Sequence, residues 1–399
     1  MGKKKKNELC EAIYREDIKN APDLEKIMAE SIPQEKFAMN QLNEKLIDAK
    51  FEGKPVSFMG DAWMRFKKDK VAVASGVIIL FLIFMAVFGP MMSPYTFRQQ
   101  HTHFMTLPPR VPGLERLGIF DGSVVWSDLQ AATLEDFGDA VIEILSVYNW
   151  YFRGEPFPRY TARINLYTLR GAEDHYFIFG TDNIGRDMFV RLWRGTRISL
   201  LIAFWSVIVN VTIGVILGAI CGYYGGTPDM IIQRISEVLM GIPFLVLAIL
   251  FIMAFGAGII SFILVIVITG WIPMKRMIRS QFYRFKDYEY VMASRTMGAK
   301  DRNLIFRHIL PNAIGPLITQ ATFAVPAAIF LESFLSFLGL GIQAPEPSIG
   351  VLLADGQRVL TQSPHLTFFP AVVIALLMLS FTLFGNGLRD AFDPRLRGT

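Results

Sequence analysis

The sequence predicts an all-α protein that crosses a membrane six times, with a folded segment inserted between the first and second crossings. Three observations carry that reading. Hydrophobic residues make up 52% of the 399 residues, and the mean hydropathy is +0.37. The apolar residues gather in long runs, as a soluble domain of this size rarely shows. Lys and Arg sit mainly where those runs end.

A bilayer core about 30 Å thick needs about 20 apolar helical residues. Six runs meet this: Val71 to Met92, Ile198 to Tyr223, Ile231 to Phe255, Ile259 to Met277, Ala313 to Leu340, and Phe368 to Leu388. The third begins with polar residues (Gln233, Arg234 and Glu237), so its start is expected at an interface or a protein-facing surface. Basic clusters set the orientation. Arg65, Lys67, Lys68 and Lys70 precede the first run, nine Lys and Arg lie between Lys275 and Arg307, and Arg389, Arg395 and Arg397 follow the sixth. Six spans place all three clusters on one side, the cytoplasm, with both termini there.

Two regions are not spans. Residues 1–60 are polar and Lys-rich and read as a cytoplasmic tail. Within residues 61–92, Ala62, Trp63 and Phe66 interleave with basic residues, as in an interfacial helix entering the first span. Residues 93–197 form an external insertion too long to be bare connection. Trp126, Tyr148, Trp150, Tyr151, Phe152, Tyr160 and Tyr167 offer aromatic mass for a small core, and Pro108, Pro109, Pro112, Pro156 and Pro158 cut the segment into short pieces. A mixed subdomain is expected there, followed by a core of five spans over residues 198–399.

The balance of +5 charges, placed mainly at span ends, does not argue for a nucleic-acid binder. Cys10 and Cys221 fall in regions that cannot meet, so no disulfide is expected. The start MGKKKK precedes polar sequence rather than an apolar run, so it does not read as a signal peptide.

The loop over residues 285–312 contains EYVMASRTMGAKDRNLIFRHILPN, from Glu289 to Asn312. It reads as a short helix ended by Gly298, whose freedom at positive φ suits a helix stop. A basic stretch then leads to Leu310-Pro311, where proline can open the fifth span. Tyr290, Val291, Ser294 and Met297 fall near helical spacing and could enter a groove of another protein. On composition alone an ordinary positive-inside loop is the simpler reading. The spacing of Gly298 and Leu310-Pro311, however, resembles the "EAA" loop of ABC importer membrane subunits. Met292-Ala293-Ser294 stands where that loop carries Glu-Ala-Ala.

Other motifs narrow the resemblance to C-type permeases of bacterial oligopeptide and dipeptide importers. They are FGTDNIGRD from Phe179 to Asp187, with Arg191, Gly195, Arg197 and Ser199 following; FGPMMSPY from Phe88 to Tyr95; LESFLSFLGLG from Leu331 to Gly341; and GLRDAFDPRLR from Gly387 to Arg397. Read from the residues alone, the second-span motif is a turn in which Thr181 or Asp182 caps a helix and Gly185 permits a bend.

The resemblance implies a type I ABC importer permease fold in the cytoplasmic membrane, surrounded by lipid. It implies a second homologous permease, two ABC ATPase subunits that bind ATP and Mg, and an external peptide-binding protein that delivers peptide. This chain would hold no cofactor or metal and would not itself be an enzyme. The ATPase contact would fall on Glu289, Tyr290, Val291, Ala293, Ser294, Arg295, Met297 and Gly298, with Leu310 and Pro311 as the hinge. Oligopeptides are the favoured substrate, with dipeptides, nickel chelates or another small solute as alternatives. The insertion is expected to dock the binding protein or cap the pathway.

Glu332 lies inside the fifth apolar run, where a charge is costly. It either faces the pathway or forms a structural hydrogen bond to a neighbouring helix, the plainer of the two. His101 and His103 lack a third ligand nearby and read as surface residues. No G-x-x-x-x-G-K-[ST] phosphate loop and no H-E-x-x-H or G-x-S-x-G motif occurs, which argues against ATP hydrolysis or hydrolase chemistry in this chain. A membrane enzyme using Glu135, Asp136, Asp139 and Glu143, and a stand-alone channel, are the remote alternatives.

Overall fold

The computed structural model describes residues 58–153 and 155–393. The tail expected over residues 1–60 lies almost entirely outside the described residues, as do residues 394–399. The chain enters through α1 (Phe58–Lys68), which is amphipathic. Ala62 and Phe66, one turn apart, are buried while Trp63 stays exposed. Phe66 meets Phe384 of the last helix edge-on at 5.2 Å. Asp69 then caps α2 (Lys70–Phe88), the first span, accepting from the backbone N–H of Val71 and Ala72.

The insertion mixes strands with short helices, as expected. Its strands β1 (Ser123–Leu129), β2 (Val141–Phe152) and β3 (Glu155–Asn165) form an antiparallel sheet in the order β1-β3-β2, with α3 (Ala131–Phe137) between the first two and α4 (Leu166–Leu169) after the third. The all-α class therefore holds for the membrane-spanning part alone. Leu107, Ile164, Tyr167 and Phe177 centre a small core, and Tyr167 donates to Pro108 O at 2.9 Å. The expected aromatic core is only partly realised. Trp126 packs on Phe137 at 5.7 Å, but Tyr148, Trp150 and Tyr151 on the β2–β3 hairpin are exposed.

Beyond the insertion run α5 (Met188–Tyr224), α6 (Gly226–Gly241), α7 (Phe244–Phe255), α8 (Ile259–Phe285), α9 (Glu289–Thr296), α10 (Ile314–Leu335), α11 (Ile349–Gln357) and α12 (His365–Phe392). Among the described residues five helices are long and apolar enough to cross a membrane, or six when a bent pair is counted as one span. That pair is the expected third span. It is not straight: α6 and α7 meet at 87°. Pro243 has no N–H to continue a helix, and it forces Ile242 into an extended conformation (φ −87°, ψ 128°).

Two further boundaries move. The second span begins at Met188, not Ile198, because Asp187 caps it and its arginines find partners. The fifth span was expected to open at Leu310-Pro311. Instead one helical run covers Asp301–Leu340, with a π-helical stretch at Leu304–Ile309 and a 3-10 turn at Leu310–Ala313 just before α10. Those irregular turns absorb the clash and the lost hydrogen bond that Pro311 brings to a helix interior.

The tightest packing joins α5 to α8. Gly214, Gly218 and Gly222 repeat every fourth residue along one face of α5. A Cβ at Gly218 would lie 2.8 Å from Ile278 Cβ and from Lys275 O, and one at Gly222 would lie 2.4 Å from Phe282 Cβ. Helices in lipid gain little from hydrophobic exclusion, so small residues that admit close backbone contact hold them together.

Candidate functional site

The segment after α8 folds as the sequence predicts in outline and differs in which side chains point out. Helix α9 ends in two backbone bonds, Ala299 N–H to Ser294 O at 3.1 Å and Gly298 N–H to Arg295 O at 3.0 Å. That pair of bonds around a left-handed residue is a Schellman stop. Gly298 supplies the conformation with φ +83°, and open space surrounds the position a Cβ would take. Only backbone strain therefore selects glycine there.

Val291 was expected on a partner-facing surface. It is fully buried instead, within an apolar cluster of Ala219, Tyr223, Ile278, Phe282, Leu304, Ile305 and Ile309. It anchors α9 to the chain's own core, since an eight-residue helix is marginal unaided. Glu289, Ala293 and Arg295 are exposed, and Ser294 is half-buried with its hydroxyl returned to Tyr290 O at 2.8 Å. Leu310 is half-buried against the same cluster and Pro311 is exposed.

Tyr290 braces the junction. Its hydroxyl accepts from Asn312 Nδ2 at 3.0 Å, and the same Nδ2 donates to His308 O at 2.7 Å. Tyr223 at the end of α5 donates to Asp301 at 2.6 Å and lies under the Arg295 guanidinium. Three apolar side chains also stand outside: Met297 is 87% exposed, Phe306 59% and Met292 49%. Phe306 and Met292 were not among the expected contact residues. Exposed Arg302 and Arg307 flank them.

Glu332 is fully buried. It accepts from Ser199 of α5 at 2.7 Å, from Ser336 at 2.8 Å and from Ser333 at 3.3 Å. Ser199 also receives the Ile349 N–H of α11 at 3.4 Å, and Ser348 approaches Ser336 at 3.4 Å. Glu332 thus sits where α5, α10 and the start of α11 converge. Buried polar groups persist when such bonds replace water.

The GTDNIGRD motif gathers charges that sequence reasoning had treated as a cap with interfacial arginines. Neither Thr181 nor Asp182 caps α5; Asp187 does, accepting from Phe189 N–H at 2.9 Å and from Ser93 at 2.7 Å. Burial pushes the Asp187 carboxyl above its ordinary range. Asp182, 4% exposed, binds the guanidinium of Arg186 at 2.7 Å and that of Arg191. Gly185 has φ +77°, and a Cβ there would strike His101 O at 1.8 Å. Also unforeseen, Arg279 clasps Asp229 through two bonds of 2.7 and 2.6 Å, and buried Lys275 donates to Gln233 and Ser236 at 2.9 and 2.8 Å. These bonds fasten α6 to α8.

The family can now be compared with this geometry. Residues 214–398 match the binding-protein-dependent transport system inner membrane component, a stretch holding α8, α9, Gly298, Leu310-Pro311 and Glu332. Residues 57–109 match the N-terminal TM domain of oligopeptide transport permease C. The chain is 39% identical to the dipeptide transport system permease protein DppC of Bacillus subtilis over 368 residues, 92% of this chain and 94% of that protein. The chain belongs to this permease family. It is also 36% identical to the oligopeptide permease OppC of Bacillus subtilis, over 87% of this chain and 93% of that one. Against OppC of Haemophilus influenzae the identity is 33%, over 90% and 95%. Among solved structures, an inward-facing MetNI methionine transporter aligns with 52% of this chain and 98% of its own, at TM-score 0.44 and 18% identity.

Proposed function

We propose that this chain is a permease subunit of an ATP-driven peptide importer in the cytoplasmic membrane, and that α9 is the point where its ATPase engages. Family membership and the dipeptide and oligopeptide permeases it resembles support the class. The observation that carries the coupling role is the pair of opposite faces on one short segment. Val291 is sealed into the chain's own core, while Met297, Met292 and Phe306 stand in solvent. Exposed apolar groups beside basic ones mark a protein contact.

In this reading ATP and Mg bind the partner ATPases, and a second permease completes the pathway. In this reading both termini and α9 face the cytoplasm, which the placement of the basic clusters supports. The sheet insertion lies outside, where an external peptide-binding protein delivers substrate. ATP acts through its differential affinity for two states of the complex. Motion of α9 reaches the spans through Val291 and through Tyr223 at the end of α5. The Asp229–Arg279 and Lys275 bonds carry α6 along with α8. Glu332 serves as a structural junction of three helices rather than a pathway charge.

The test is uptake by proteoliposomes holding the complete complex and its binding protein. Labelled di- to pentapeptides should enter only with ATP inside, and a nickel chelate should not. Entry of the chelate and of no peptide would reject the peptide assignment.

A further inference from the structure

A cavity of about 160 Å³ opens at the insertion end of α5, lined by Asp182, Arg186, Arg191, Leu352, Asp355 and Leu366 among others. Its hydrogen-bond inventory does not balance. Asp182 takes the N–H of Ile184 at 3.0 Å, the N–H and Nε of Arg186 at 2.8 and 2.7 Å, and Arg191. A carboxylate has about four lone-pair sites, so Asp182 is saturated. Arg191 is 3% exposed, yet its Nε has no partner. Among the described residues, the terminal nitrogens of Arg186 have no protein acceptor either; of its donors only Nε and the backbone N–H are engaged.

The remaining carboxylate does not cover this surplus of donors. Asp355 approaches Arg191 only to 3.8 Å, beyond hydrogen-bond reach, and its side chain is 38% exposed at the mouth. Two guanidinium groups therefore present donors to a half-open cavity, and Leu352, Leu366 and Met188 supply apolar walls. Guanidinium donors select planar oxygen anions. A doubly charged anion such as phosphate would meet Asp355, whereas a monovalent carboxylate meets less repulsion. The volume is close to that of a cavity known to hold a ring of six carbons, about 150 Å³.

We propose that this cavity binds a carboxylate carried on a short apolar stem. The group comes either from a small free acid or from an Asp or Glu side chain of an external protein. This goes beyond the importer reading and does not depend on the substrate.

The test uses the full complex in lipid nanodiscs at constant ionic strength, with propionate and its uncharged isostere propionamide as probes. Propionate should raise the unfolding temperature saturably, and propionamide should not. Asp355→Asn, which removes a repulsive charge at the mouth, should tighten propionate binding. Arg186→Gln should weaken it about tenfold or more, as loss of a charge-assisted hydrogen bond implies. Should Arg186→Gln fail to fold, the acid–amide pair and Asp355→Asn still decide. If propionate is inert but Arg186→Gln weakens docking of the external binding protein, and neutralising one acidic residue of that protein does the same, a partner side chain is the source. If neither probe nor docking responds, the cavity holds only water and the proposal is wrong.

Discussion

The two ends of α5 solve opposite problems. This helix is 37 residues long, about 55 Å at 1.5 Å per residue, so its ends stand well apart. At Met188 the surroundings are charged, yet Asp182, Arg186, Asp187 and Arg191 are all buried, and Asp182 pairs with both arginines. At Tyr224 the helix ends beside the segment that follows α8, where apolar Met297, Met292 and Phe306 remain exposed. Charge alone would mark the first end as functional and the second as a loop. Burial changes this: at the charged end Asp182 holds two arginines inside the fold beside the cavity, and the apolar side chains left in water at the other end are those that want a protein partner.

Breaking the frame that joins the two ends should have the largest effect. Gly218→Leu would drive a branched side chain into Ile278 and the Lys275 carbonyl, which cannot both retreat. The expected loss is about 3 kcal/mol or more, seen as a collapsed unfolding temperature in lipid nanodiscs and as failure to assemble. A variant of normal stability would mean that α5 and α8 do not pack along the glycine face.

Next in size comes the buried junction between the ends. Glu332→Ala leaves the hydroxyls of Ser199 and Ser336 without their acceptor and should cost about 1–3 kcal/mol. Glu332→Gln retains an acceptor oxygen, and serine hydroxyls can turn to suit the new amide. Stability within about 1 kcal/mol of wild type and full ATP-driven uptake are expected for it. Normal stability with abolished uptake would return Glu332 to the pathway.

Much of this was legible in the sequence, for physical reasons that differ by element. Long apolar runs declare spans because bilayer thickness fixes their length. Gly298 declared a helix stop because few other residues tolerate φ near +83°. Its Schellman bonds agree with that reading. The break at Ile242-Pro243 had a signal in the proline, but apolar Phe244–Phe255 continued the run and hid it. Pro311 misled in the other direction: it looked like a beginning, and π-helical and 3-10 turns let the helix run through it.

Side-chain direction was harder. Val291 on α9 and Met297 at its C-cap both fall near helical spacing, and periodicity cannot say whether an apolar residue meets the same chain or another. The every-fourth-residue spacing of Gly214, Gly218 and Gly222 is a helix-contact signal that went unread in the sequence and emerged only in the packing of α5 on α8. The Asp182 cluster was not legible there, because Arg191 reaches Asp182 only once the turn at Gly185 has closed. The hairpin aromatics Trp150 and Tyr151 counted toward a core by composition and lie exposed in the fold.

The most direct measurement is on Met297, which is 87% exposed and makes no contribution to the core. Met297→Asp should leave stability within about 0.5 kcal/mol of wild type, as surface changes do. At matched membrane levels, co-purification with the ATPase and ATP-driven peptide uptake are both expected to fall sharply. Retention of both by a stably folded Met297→Asp protein would contradict the assignment of α9 as the coupling surface.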